Sequence, residues 1–302
     1  MRRLKDIISV LIILVAIYFL ARTLLENWTQ IPFDQLHLNI TTIFISLLFL
    51  YFNFILSIFG WQKIITKFGQ ALNFRSAYWI MATSQISKYI PGGIWFTISR
   101  MQLADKKGLR SEVTAFSVII ETCLIFLTGI ILMLISMITG AHLISLYLIL
   151  PLLIISILFL YPPLLKIFAD FMVKILKRPK VDLRLSFGDI LMLSLFYFGV
   201  WISQIIGFFL LINSFYPVPV VNFPYIALTY ISSWIGGFVV IYAPGGIGIR
   251  EGIMSFLLSK ILPVGLSVGF SVIARVWTII YEVIVFATGQ LLLKRGDKDQ
   301  IH

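Results

Sequence analysis

Tyr89-Ile90-Pro91-Gly92-Gly93-Ile94 in the first half of the chain is answered by Tyr242-Ala243-Pro244-Gly245-Gly246-Ile247 in the second. Both stretches lie inside long apolar runs. Pro-Gly-Gly cannot continue a helix there, because proline lacks the N–H and clashes with the preceding turn while glycine adds backbone freedom. Backbone released from a helix at membrane depth is tolerated where it is buried in protein or lines a cavity. Matching interruptions in the two halves of a membrane protein are the best sequence pointer to a transport site.

The surroundings of the two breaks are membrane-like. The chain has 302 residues, of which 60% are hydrophobic and 12% charged, with a mean hydropathy of +1.00. A soluble domain carries about 25% charged residues. No polar stretch is long enough for a soluble catalytic domain. The net charge of +11 does not mark a nucleic-acid binder, because the basic residues sit in short loops between apolar runs. Cys123 is the single cysteine, which excludes an internal disulfide. Met1-Arg2-Arg3-Leu4-Lys5 precedes an apolar run from Ile7 to Leu20 with no small-residue cleavage site after it, so an uncleaved first span is expected.

A span needs about 20 mostly apolar residues. Six are read: 6–25, 41–62, 112–138, 143–165, 187–212 and 265–291. Segments 76–99 and 224–262 contain the breaks and are read as re-entrant hairpins. The second is also long enough for two short full spans, and the count of spans then rises to as many as eight. Lysine and arginine set sidedness. Arg2, Arg3 and Lys5 place the N-terminus in the cytoplasm. Lys63, Lys67 and Arg75, then Arg100, Lys106, Lys107 and Arg110, then Lys166 to Arg184, and finally Lys294, Arg295 and Lys298 mark the same side. The first hairpin then enters from inside and the second from outside. The expectation is an all-α polytopic membrane protein, one integral membrane domain over residues 1–302. It holds two span–hairpin–span repeats, 41–138 and 187–291, inverted about a linking span at 143–165. Tyr51-Phe52, Ser57 and Gly60 are echoed by Tyr197-Phe198, Ser203 and Gly207, and Ser117-Val118-Ile119 by Ser271-Val272-Ile273.

Charges inside such spans are costly and few. They are Lys88, Glu121, Arg250, Glu251, Arg275 and Glu282, the last two separated by two helical turns on nearly one face. Each can be an interior ion pair or a snorkelling side chain, and Lys260 is read as the latter. The stretch Gly245-Gly246-Ile247-Gly248-Ile249-Arg250-Glu251-Gly252 makes a sharper case. A half-helix starting there aims backbone N–H groups at a cavity, and such helix starts hold anions. Arg250 adds a guanidinium suited to a phosphate, and Arg275 can reach the same place. Lys88 and the N–H groups after Pro91 form a weaker pole. The expected cargo is an anionic lipid headgroup with its tail left in the bilayer. Glu121 and Glu282 are candidates for proton coupling. His37, His142 and His302 show no metal spacing; no cofactor motif and no catalytic cluster is visible.

These residues resemble the flippase-like family, the membrane region shared with lysylphosphatidylglycerol synthases (the multiple peptide resistance factors). The likeness rests on Lys88-Tyr89-Ile90-Pro91-Gly92-Gly93 and on Ala243-Pro244-Gly245-Gly246-Ile247-Gly248-Ile249-Arg250-Glu251-Gly252, and it covers about residues 5 to 290. It implies translocation of a lipid or lipid-linked glycan. By matching motif it carries over Lys88, Tyr89, Pro91, Gly92, Gly93, Pro244, Gly245, Gly246, Arg250 and Glu251 as substrate-contacting positions; Arg275, Glu121 and Glu282 rest on the bilayer argument. The aminoacyl transferase domain of the full-length resistance factors is not expected. The implied setting is a prokaryotic plasma membrane with both termini cytoplasmic. The partners expected are membrane lipids, a second copy packed through Gly- and Ser-rich faces, or a separate lipid-synthesising enzyme. The rival functions are an integral membrane transferase acting on a polyprenyl-linked sugar, a non-transporting partner of such an enzyme, and a small-solute transporter of similar plan.

Overall fold

The structure is a computed structural model that describes residues 32–90, 95–141, 146–175, 185–240 and 243–298, with isolated positions before residue 32. The expected span 6–25 and the triplet Pro91-Gly92-Gly93 lie outside the described residues. Everything regular among the described residues is helical. The helices are α1 (Ile40–Lys67), α2 (Phe74–Gln85), α3 (Trp95–Asp105), α4 (Ser111–Ser136), α5 (Leu146–Leu158), α6 (Pro162–Ile175), α7 (Phe187–Asn213), α8 (Phe223–Val239), α9 (Ile249–Leu258) and α10 (Val264–Lys298). The chain is an all-α polytopic membrane protein. Four stretches are long and apolar enough to cross a bilayer: Ile40–Lys67, Ser111–Gly140, Phe187–Asn213 and Val264–Leu293. They correspond to the spans read at 41–62, 112–138, 187–212 and 265–291.

Polar residues mark where these helices start. Asn39 accepts the Thr42 N–H at 3.1 Å ahead of α1. Ser186 and Asp189 cap α7 reciprocally, Asp189 N–H donating to Ser186 Oγ at 3.2 Å and Ser186 N–H to Asp189 Oδ2 at 3.0 Å. α1 and α7 lie side by side and antiparallel. The start of α1 meets the end of α7 through His37 N–H to the Phe215 carbonyl (3.0 Å) and Asn39 N–H to that of Ser214 (2.9 Å). The far end of α1 meets the start of α7 through Lys67 and Asp189 at 2.6 Å. Small residues permit the closeness. A Cβ on Gly60 would come within 3.1 Å of the Tyr197 ring, and one on Gly207 within 3.1 Å of the Ser46 carbonyl oxygen. Ser203 Oγ donates across the seam to the Phe49 carbonyl at 2.6 Å.

Between α1 and α4 the chain forms a helical hairpin of α2, a 3-10 turn at Ile86–Tyr89, and α3. Between α7 and α10 it forms a second one of α8, a turn at Pro244–Gly246, and α9. The limbs have 12, 11, 17 and 10 residues, so none alone covers the roughly 30 Å hydrocarbon core, which takes about 20 residues. α2 packs on α10 and α3 on α4, while α8 packs on α4 and α7, and α9 on α10. Each hairpin is thus wedged between α4 and α10, and the turn at Ile86–Tyr89 touches the turn at Pro244–Gly246.

The linking stretch read as one span at 143–165 is not one continuous helix. α5 ends at Leu158, and α6 starts at Pro162 and runs on to Ile175. Pro162-Pro163 explains the break. A residue before proline is pushed out of the helical region, whereas proline suits the first turn of a new helix. Leu165 on α6 is buried against the core formed by α1, α2, α4 and α7.

Candidate functional site

The second hairpin turn can exist because glycines occupy it. Gly245, Gly246 and Gly248 have φ of +60°, +71° and +86°, the left-handed region that strains other residues. The turn is tight, Gly246 N–H donating to the Ala243 carbonyl at 2.8 Å. A Cβ on Gly246 would lie 2.9 Å from Arg250 Nε and 3.0 Å from the backbone of Gly237. A Cβ on Gly237, in α8, would lie 2.3 Å from Arg250 Cγ. The Arg250 side chain, at the start of α9, therefore threads between two glycines. Its guanidinium sits 5.4 Å from the centre of the Trp234 ring, and Trp234 in turn stacks on Phe238 at 5.4 Å. Arg250 Nε is buried with no hydrogen-bond partner among the described residues.

Glu251, only 6% exposed, accepts the Gly248 N–H at 2.6 Å and faces Arg275 Nε at 3.4 Å. Arg275, from α10, donates through both terminal nitrogens to the Gly245 carbonyl, each at 3.1 Å. It thereby holds the turn from outside the hairpin. The first hairpin closes the arrangement. Lys88 pairs with Glu282 of α10, and the Tyr89 hydroxyl donates to the other Glu282 oxygen at 2.8 Å. The Tyr89 ring lies 5.8 Å from the Arg275 guanidinium carbon, and a Cβ on Gly245 would touch it at 3.1 Å. A cavity of about 30 Å³ remains between α8, α9 and α10, lined among others by Tyr230, Ser233, Trp234, Arg250, Glu251 and Arg275. It has room for about two waters. Ser233, Ser271 and Thr278 also line it, and their hydroxyls donate to the carbonyls of Tyr230, Val268 and Ala274, each at 2.8 Å.

The structure therefore gathers Lys88, Tyr89, Gly245, Gly246, Arg250, Glu251, Arg275 and Glu282 at one place, with Pro244 in the backbone of the turn. One expectation changes. The helix start at Gly248 does not present that N–H to a cavity, because the chain's own Glu251 carboxylate already accepts it. Glu121 does not share a site with Glu282. It is buried on α4 and pairs with Arg100 of α3, whose guanidinium lies between the rings of Trp61 (5.1 Å) and Phe96 (4.4 Å).

Arg100 was read as a cytoplasmic loop marker, yet it is 1% exposed. The signal was available: Arg100 stands ahead of the Lys106-Lys107 pair, and a carboxylate at Glu121 inside an apolar helix demands a cation. The two buried pairs have one topology with the charges exchanged. In each, the second hairpin limb reaches the span that follows it, as Arg100 to Glu121 and as Glu251 to Arg275. Among the described residues, no three His, Cys, Asp or Glu side chains gather closely enough to hold a metal ion.

No curated protein matches the sequence. The sequence profile of the lysylphosphatidylglycerol synthase TM region matches residues 7–285, nearly the whole chain and both hairpins. The chain belongs to the family of lysylphosphatidylglycerol synthase transmembrane regions.

Proposed function

We propose that the protein is a lipid flippase of a prokaryotic plasma membrane, moving a lipid with an anionic headgroup while the tails stay in the bilayer. The observation that carries this reading is the cationic cluster where the two hairpin turns meet. Arg250, from the second hairpin, and Arg275, from α10, line the cavity, and Lys88 joins the cluster from the first hairpin through Glu282 of α10. Three cations face the two carboxylates Glu251 and Glu282, so the cluster holds one positive charge in excess, and Arg250 is the cation that no described carboxylate pairs with. A buried guanidinium with an unused donor suits a phosphate oxygen. The antiparallel seam of α1 and α7 and the order span–hairpin–span after each of them support an inverted repeat, an arrangement that transporters use to expose one site to alternate faces, and the lysine and arginine pattern supports both termini cytoplasmic.

A transferase would require a base or metal-binding carboxylates at the cavity. Glu251 and Glu282 are each already held by a cation, which favours translocation over group transfer. The test uses full-length protein in vesicles of phosphatidylcholine with a minor fraction of fluorescent phosphatidylglycerol, reading the label that becomes accessible to an impermeant quencher. Arg250→Ala should lower scrambling to the protein-free rate, with unchanged elution on gel filtration. Scrambling at the parent rate would remove Arg250 and the cavity from the mechanism.

A further inference from the structure

We propose that Glu251 is a built-in stand-in for the cargo's anion, and that cargo binding displaces its carboxylate, which then takes up one proton. The inference rests on the flippase reading and adds the coupling ion and its site. The Glu251 carboxylate uses the Gly248 N–H at 2.6 Å and faces Arg275 Nε at 3.4 Å. A backbone N–H at a helix start and a guanidinium are the donors a phosphate seeks. Arg250, whose Nε is buried without a partner, lines the same cavity. The Glu251 carboxylate already occupies the first two of these donors, so a headgroup phosphate that takes them competes with it for one seat.

The walls determine what happens to the displaced group. Ser233, Ser271 and Thr278 already donate their hydroxyl hydrogens to main-chain carbonyls. They can offer the cavity oxygen lone pairs, which repel a carboxylate but accept from a carboxylic acid O–H. The other ionisable groups near Glu251 give it no new partner. Lys88 and Tyr89, on the first hairpin, are engaged with Glu282 of α10; Arg250 and Arg275 face the incoming anion; and Tyr230, on α8, lines the cavity but brings no positive charge. A buried carboxylate without a cation neutralises itself by protonation. The balance is simple: one carboxylate oxygen gains an O–H from the water phase, and the proton leaves when the anion does. Glu251 thus joins Glu121 and Glu282, the candidates for proton coupling in the sequence, as the one that lies beside the cavity.

Isothermal titration of the detergent-solubilised full chain with dihexanoyl phosphatidylglycerol, in buffers of differing ionisation enthalpy, counts the protons. The parent protein should take up about one proton per lipid. Wherever one proton is taken up, its affinity should fall about tenfold per pH unit, since the bound state holds the extra proton. Glu251→Gln should bind with no proton uptake and no such pH dependence. Binding by the parent protein without proton uptake, or uptake retained in Glu251→Gln, would overturn the inference and leave the flippase reading standing. No binding by the parent protein would overturn both. The parent's proton count does not depend on how the variant folds.

Discussion

Arg250 occupies a passage that two glycines leave open, which makes Gly237 as restrictive as the arginine itself. A methyl group there would sit 2.3 Å from Arg250 Cγ, so Gly237→Ala must move the arginine or spread α8 from α9. Overpacking of this kind costs about 1–3 kcal/mol. The expected outcome is a lower melting temperature together with lost flipping; an unchanged melting curve with full flipping would show that Arg250 has space elsewhere. The Arg100–Glu121 pair poses a different test. Removing one member strands a buried charge, at about 3–5 kcal/mol, while replacing both by apolar side chains is often tolerated. Glu121→Leu alone should therefore lower the melting temperature sharply, and adding Arg100→Met should recover most of it. If the double variant melts as low as the single one, the pair has a role beyond mutual neutralisation.

At the scale of elements, the contact between the hairpins rests on few residues. Lys88 and Tyr89 bind a single carboxylate, Glu282, and Tyr89 packs on Gly245. Glu282→Gln keeps the shape but removes the charge that Lys88 and Tyr89 share. It should raise the labelling rate of a cysteine placed at Ile86 by a water-soluble maleimide several-fold; equal rates in both backgrounds would show that the hairpin tips hold together by packing alone. Elements of this kind were unevenly legible. α1, α4, α7 and α10 announce themselves as long apolar runs, and Pro244-Gly245-Gly246 announces its turn because glycine and proline act locally. Arg250 and Glu251 were readable because they follow that turn. The partners were not, since Lys88 and Glu282 are 194 residues apart and pairing across a fold leaves no trace in local pattern. Arg100 was hidden by its nearness to a lysine cluster. The break before Pro162 was visible in Pro162-Pro163 but was overridden by the apolar length of the run around it.

For the whole molecule, the seam of α1 with α7 is the central antiparallel contact, and it depends on backbone proximity. Gly207→Leu would drive a side chain toward the Ser46 carbonyl, Trp277 and Phe49. It should lower thermal stability by about 1–3 kcal/mol, read as an earlier loss of tryptophan fluorescence; unchanged melting would mean that the seam has slack. The charge exchange between the two pairs also has a consequence for how each tolerates reversal. Reversing the first pair, as Arg100→Glu with Glu121→Arg, keeps a cation beside a carboxylate. Reversing the second would set a guanidinium against the Gly248 N–H, donor facing donor. The pair at the first hairpin is thus indifferent to which side carries the positive charge, and the pair at the second is not.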